Sequence, residues 1–220
     1  MNKKMMLLAL AVISAAAFAL PAGASAAELH LTNVTKFTGT FSGGTLSAKE
    51  EPTITCDGPN HVEGTVSAGG TTGTLSLDYT NCRSFFSCQS GETAGTIKTG
   101  GTFHLITVET VTQFEGTVHK SPGILITPEH TTIKCSGFAN PITVTGNVIG
   151  TVTSPVCNGK SKKMSISFNS NSGPTQEHKT YTGVSYNLTT QTGTTGTIKE
   201  GGLTSSATVE SSTEGTLDCT

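Results

Sequence analysis

This sequence predicts an all-β fold. The strands are expected to form either two tandem homologous antiparallel β-sandwich modules or one pseudo-symmetric double sandwich. Three observations support the prediction. The chain is rich in threonine, several segments alternate apolar and polar residues, and a set of segments recurs in the same order in both halves. Each is typical of short antiparallel strands joined by turns.

The N-terminal segment has the pattern of a secretory signal peptide. Lys3 and Lys4 precede an apolar run over residues 5–20, and Ala24-Ser25-Ala26 supplies small residues for cleavage. The run is shorter than the roughly 20 residues that span a bilayer, and Pro21 ends it. We therefore expect a signal peptide over residues 1–26, cleavage after Ala26, and a secreted mature chain without a membrane span.

The composition of the remaining 194 residues favours strands. They contain 41 threonines, and the whole sequence has no tryptophan and only 5% aromatic residues. Threonine and valine are stiff at χ1 and fit a pleated, half-buried surface. With so few aromatic residues the core is expected to be thin, and cysteines that form disulfides in an oxidising compartment would compensate.

Two segments show the alternation of a strand with one buried face. Leu75, Leu77 and Tyr79 alternate with polar residues. Met164, Ile166 and Phe168 do the same in the second half of the chain. Glycine pairs and Asn-Gly or Pro-Gly turns separate such segments, and no amphipathic helix is predicted after residue 26.

An internal repeat divides the chain. Residues 44–58 align with residues 123–137 without a gap, and seven of the fifteen positions are identical, Cys56 with Cys135 among them. The block Gly95-Thr96-Ile97-Lys98 recurs as Gly196-Thr197-Ile198-Lys199. The growing offset between copies indicates a duplication with loop insertions. We expect β module 1 over residues 27–113 and β module 2 over residues 114–220.

Six cysteines lie in the mature part and are expected to form three disulfides. The short Cys82–Cys88 spacing favours a local bridge, the repeat equivalence of Cys56 and Cys135 favours a second, and Cys157 with Cys219 would be the third. Six cysteines allow fifteen connectivities, so the others stay open. Zinc binding is disfavoured because Cys-x-x-Cys spacing is absent.

The sequence contains none of the common catalytic or cofactor motifs. It has no Gly-x-Ser-x-Gly, no His-Glu-x-x-His and no phosphate-binding glycine loop. The six histidines are scattered, at positions His30, His61, His104, His119, His130 and His178. We expect no enzyme, no cofactor and no metal site.

The net charge of the mature chain argues against a nucleic-acid partner. Without the signal peptide the chain carries 11 basic and 15 acidic residues, a net charge of −4. Nucleic acids need clustered Lys and Arg to displace counterions. We therefore expect no nucleic-acid partner.

Phe85 and Phe86 form the candidate contact site. They lie between Cys82 and Cys88, in a loop where exposed aromatic residues would be costly without a role. A loop folded back onto the sheet is the alternative.

Several segments of the mature chain carry a resemblance to known proteins. They are Thr-Ile-Thr-Cys56, Asn-Cys82 with Cys88, Ile-Lys-Cys135-Ser-Gly, Val-Thr-Gly146-Asn-Val-Ile-Gly150, and Gly-Gly202-Leu-Thr-Ser-Ser-Ala-Thr-Val209. With these the chain resembles exported Thr- and Gly-rich β proteins of soil actinobacteria. It is more faintly similar to secreted, biofilm-associated β proteins named as activators of alkane oxidation. Cys157 and Cys219 depart from the pattern. The resemblance implies an extracellular, non-enzymatic function and supplies no catalytic residue.

Two functions follow as expectations. The first is a structural or surface-interaction role, with a cell-envelope or matrix component or a second copy of the chain as partner. The second is an extracellular ligand-binding module for a glycan or an apolar small molecule. A buried pocket lined by strand faces or by the Phe85-Phe86 loop would favour the second.

Overall fold

The computed structural model describes residues 29–111, 118–170 and 174–219. Within these ranges the regular structure is β-strand, and no helix is present. The predicted all-β class is confirmed. The predicted signal peptide lies outside the described residues, as does the predicted boundary between residues 113 and 114. In the described part of the chain, nothing forms a helix with the length and hydropathy that a membrane crossing requires.

Sixteen strands succeed one another in the described residues, and all of their pairings are antiparallel. They are β1 (Leu29–Thr32), β2 (Lys36–Ala48), β3 (Ile54–Cys56), β4 (Asn60–Val66), β5 (Thr72–Tyr79), β6 (Cys82–Arg83), β7 (Cys88–Gln89), β8 (Ile97–Val111), β9 (Val118–Pro128), β10 (Thr131–Cys135), β11 (Ile142–Gly146), β12 (Val148–Ser154), β13 (Lys160–Phe168), β14 (Lys179–Thr180), β15 (Leu188–Thr192) and β16 (Lys199–Cys219).

Eight of the strands close into a ring. β2, β4, β5, β8, β9, β12, β13 and β16 pair in that order, and β16 pairs back onto β2 from Gly201↔Ala48 to Ser211↔Phe37. A closed sheet of eight strands has an interior that side chains fill or that holds one small ligand. The strands of the ring therefore have an inner and an outer face, and the alternation predicted for β5 and β13 places their apolar residues on the inner one.

A second group of strands, here called the cap, covers one end of the ring. It consists of β3 and β6, which extend from β2, and of β15, β11, β10 and β7, which extend from β16. The two arms meet where Arg83 pairs with Ser87 in an isolated bridge. Ile54, Ile133 and Leu188 of the cap are buried in the same core cluster as the inner face of the ring.

Strand β1 lies at the other end of the ring. It pairs with the last residues of β16, with Leu29 opposite Cys219. The amide of Leu31 donates a 2.9 Å hydrogen bond to the carbonyl of Gly70, in the turn between β4 and β5. Leu29 and Leu217 are almost fully buried.

The strand pairing does not confirm the sandwich organisation that the sequence predicts. Residues 36–111 supply four strands of the ring and residues 118–219 supply the other four, so both predicted modules contribute to one continuous sheet. The halves are hydrogen-bonded twice, through β8–β9 and through β16–β2.

All six cysteines are in disulfides, but only one of the three favoured pairings is correct. Cys157 is bonded to Cys219 as predicted. The predicted bridges Cys82–Cys88 and Cys56–Cys135 are wrong. Cys56 is bonded to Cys82 and Cys88 to Cys135. The physical reason is register, because the antiparallel pairs β3–β6 and β10–β7 place these cysteines directly opposite each other.

Candidate functional site: an apolar cavity inside the ring

The interior of the ring contains a cavity of about 150 Å³. Every strand of the ring contributes to its wall, and most of the contributed side chains are apolar. From the ring these include Phe37, Phe41, Val62, Leu75, Leu77, Tyr79, Phe103, Ile124, Ile126, Val148, Met164, Ile166, Phe168, Leu203, Ala207 and Val209. The cavity is therefore a property of the closed sheet and not of one loop.

Several side chains on the inner face are only half-buried. Phe37, Leu77, Met164 and Ala207 all line the cavity, and each is only partly covered by its neighbours. Inward-facing apolar residues of a filled interior would be fully packed, since protein cores have the density of organic crystals. The thin core that the composition predicts thus corresponds to apolar space inside the ring that side chains do not fill.

The cavity extends along the ring between its two covered ends. At one end Ile54, Ile133 and Leu188 of the cap contribute to the wall, and at the other end Leu31 and Val34 do. The lining residues of β2 alone run from residue 37 to residue 46. At about 3.4 Å per residue and a tilt of about 40°, that stretch covers about 20 Å of the axis. The lining residues therefore extend along the axis of the ring, and the space between them is called the channel below.

Few polar atoms reach the cavity, and most of them are already hydrogen-bonded. Thr99 and Thr131 share a 2.6 Å hydrogen bond between their hydroxyls. The hydroxyl of Ser205 donates to the carbonyl of Gly43 at 3.2 Å. These groups contribute little to ligand recognition because their hydrogen-bonding capacity is used within the protein.

Tyr79 is the exception. Its ring packs edge-on against Phe41 with the centroids 4.5 Å apart, and its hydroxyl makes no hydrogen bond with the described residues. Burial raises the pKa of the Tyr79 phenol well above its usual value, so it stays protonated at neutral pH. Tyr79 is also a residue of the cavity wall, so its hydroxyl is a candidate partner for a polar group of a bound molecule.

One part of the cavity wall reaches solvent. Of the lining residues, only Lys162 and Lys163 are exposed. Both are in β13, where the pairing with β16 shifts: Ser161 lies opposite Gly215, but Lys163 lies opposite Glu210. Residues 211–214 of β16 therefore have only Lys162 facing them across the ladder. The exposed part of the wall thus coincides with this shift in the β13–β16 pairing, and it is called the mouth of the cavity below.

The Phe85-Phe86 loop is exposed. Phe85 is 80% and Phe86 56% solvent-accessible. The loop connects β6 to β7 and lies between the Cys56–Cys82 and Cys88–Cys135 bridges, outside the cavity. A disulfide on each side fixes the loop on the cap. The structure therefore keeps both candidate contact residues at the surface and apart from the channel.

The histidines do not assemble into a site. In the described ranges, no group of three His, Cys, Asp or Glu side chains could hold a metal ion. His178 is the one histidine with a resolved perturbation: burial lowers its pKa, and the nearby Glu177 carboxylate offsets part of that effect. Its Nε2 is buried without a hydrogen-bond partner.

The sequence did not identify the cavity. The alternating residues Leu75, Leu77 and Tyr79 predicted a buried face, but a buried face alone does not distinguish a packed core from a lined channel. The closest signal was compositional, since a chain of this length with no tryptophan has few side chains large enough to fill the interior of eight strands.

Comparison with known proteins gave no family to which this fold could be assigned. The chain matches no family model, and neither the curated proteins nor the solved structures contain a match to it. The proposed function therefore depends on the cavity and its mouth.

Proposed function

We propose that this protein binds a small apolar molecule in the channel inside its ring of strands, and that it does so outside the cell. The observation that carries the proposal is a cavity of about 150 Å³ inside the ring, with a mostly apolar wall to which the cap and β1 also contribute. The three disulfides support an extracellular setting.

An unfilled apolar interior has a thermodynamic cost that a ligand can recover. Cavities in protein cores destabilise the fold by about 24 cal/mol per Å³, which gives about 3–4 kcal/mol for a space of this size. Apolar cavities of about this volume stay dry and bind molecules such as benzene. Occupation by an apolar ligand would therefore replace missing packing contacts and raise stability.

The composition of the wall selects among the ligand classes expected from the sequence. A glycan presents many hydroxyls, and each would need a partner once it leaves water. Most of the wall is apolar, and the hydroxyls of Thr99, Thr131 and Ser205 in it are already hydrogen-bonded within the protein. The wall therefore favours an apolar molecule over a glycan.

Calorimetric titration with 1-hexanol and 1-octanol tests the proposal. We expect saturable binding with a negative heat-capacity change, since apolar surface is buried, and a rise in Tm with ligand concentration. The variant Ala207→Leu adds three carbons at a position that lines the channel, so it should weaken binding of both alcohols.

A matched control is available one residue away on the same strand. Thr208 is exposed on the outer face of β16, so Thr208→Leu should leave alcohol binding unchanged. If folded wild-type protein binds neither alcohol, the proposal is wrong.

A surface-contact role is the second candidate, favoured by the exposure of Phe85 and Phe86. Large exposed aromatic residues on a rigid loop are characteristic of interaction sites. Phe85→Ser with Phe86→Ser should abolish any self-association seen by sedimentation, or any binding to isolated envelope material. Val156→Ser removes an equally exposed apolar residue elsewhere and is the control. If wild-type protein neither self-associates nor binds that material, this role is excluded.

A further inference from the structure

The charges at the mouth of the channel indicate the headgroup of the ligand. Two charged residues line the cavity, Lys162 and Lys163, and both are cationic. Both are also the exposed members of the lining, so the positive charge lies where the channel meets water. An apolar chain that enters by this route would leave its polar end near two positively charged residues.

Neighbouring carboxylates neutralise only part of this charge. Lys163 Nζ lies 3.6 Å from Glu210 Oε2, and both side chains are more than half exposed. Lys162 has no ion pair with any described residue. Glu214 is in the segment opposite Lys162 but is not part of the cavity wall. The mouth thus keeps at least one cation available for an anionic group.

The shape of the cavity constrains the rest of the molecule. A wall that extends about 20 Å along the axis of the ring suits an unbranched chain better than a fused ring system. A volume of about 150 Å³ also leaves no room for the two long acyl chains of a phospholipid. The geometry favours a single chain.

We propose that the ligand is a single-chain amphiphile whose apolar chain occupies the channel and whose anionic headgroup is held by Lys162 and Lys163. This rests on the proposed function, which requires that an apolar molecule binds in the channel. It adds that a carboxylate or similar anion is recognised at the mouth of the cavity.

Octanoate and 1-octanol form the test pair because they have the same chain and differ in the headgroup. Calorimetric titration of the whole mature protein at low salt should show octanoate binding about 5- to 10-fold more tightly than octanol, the effect of one or two charge-assisted contacts at a solvent-exposed site. The preference should decrease when the salt concentration is raised to about 0.5 M, because salt screens exposed charges.

Two variants locate the headgroup. Lys162→Gln with Lys163→Gln should remove the preference for octanoate, so that octanoate no longer binds more tightly than octanol. Lys160→Gln changes an exposed lysine of the same strand that does not line the cavity, and it should retain the preference. These substitutions are at exposed positions, so the fold is expected to be intact.

The outcomes separate this inference from the proposed function. If wild-type protein binds octanol and shows no preference for octanoate, or if the double variant keeps the preference, the headgroup site is refuted while channel binding stands. If neither compound binds, the proposed function fails and this inference fails with it.

Discussion

Cys88 in β7 lies directly opposite Cys135 in β10, and a disulfide joins them across the two strands. Cys56 and Cys82 have the same relation in β3 and β6. Each bridge therefore closes one arm of the cap, and the Phe85-Phe86 loop connects the two closed arms.

This connectivity predicts a distinctive digest without reduction. Trypsin should release residues 50–83 as one peptide with an internal disulfide, because this stretch contains both Cys56 and Cys82 and is cleaved only after Lys49 and Arg83. Residues 84–98, 135–160 and 200–220 should remain linked as a second product. Mass spectrometry distinguishes the alternatives, since a Cys82–Cys88 bridge would attach residues 84–98 to the first peptide.

The same bridges should contribute strongly to stability. Removing Cys88–Cys135 by double serine substitution opens a loop with a sequence separation of 47 residues. The chain-entropy model gives about 4 kcal/mol for a loop of this length. Denaturant unfolding should show the loss. A loss below about 1 kcal/mol would mean that the cap is held by its packing and not by the bridge.

Gly39 tests the closure of the ring. It pairs with Val209 across the β2–β16 seam, and a Cβ at this position would overlap the backbone carbonyl of Thr208 and approach the Val209 Cα at 2.7 Å. Gly39→Ala should therefore force the seam apart and cost about 1–3 kcal/mol. That corresponds to a decrease in Tm of about 3–10 °C.

Gly91→Ala provides the comparison for Gly39. A Cβ at Gly91 would have no atom within 4 Å, so this variant should leave Tm unchanged. Equal Tm values for the two variants in thermal unfolding would argue against a closed seam at β2–β16.

Local patterns predicted the strands, but not how the strands associate. Leu75, Leu77 and Tyr79 line the interior as their alternation indicated. The closure of the ring depends on contacts such as that between Ser42 and Ser206, which are 164 residues apart, and no local pattern reports them. Consequently the channel and its mouth could not be derived from the sequence.

The internal repeat has a mixed relation to the structure. Cys56 and Cys135 occupy matching places, each buried in a short cap strand and bonded to the cysteine opposite. The repeated Gly-Thr-Ile-Lys blocks do not, because Ile97 is 6% exposed at the channel wall whereas Ile198 is 66% exposed before β16 begins. The duplication stays a prediction, and the second block shows how far the halves differ in detail.

His178 predicts a pH dependence of stability. Burial lowers the pKa of its imidazole, so the folded protein binds a proton there less readily than the unfolded chain does. As the pH falls below the unfolded value of about 6.5, the unfolded state takes up the proton first, and the free energy of unfolding decreases until the pH is below the folded pKa. Above about pH 7.5 both states are neutral at this position and it has no effect.

His178→Gln removes this titration and should flatten the decrease in Tm between about pH 7 and pH 5, because glutamine carries no proton to bind. His104→Gln, at an exposed position in β8, controls for the loss of a histidine as such. Thermal unfolding across this range compares the two variants with wild type. The unpartnered Nε2 of His178 is buried in the folded state, so the change of Tm with pH should differ from wild type in His178→Gln alone. An equal change of Tm with pH in all three proteins would show that the imidazole is solvated in solution.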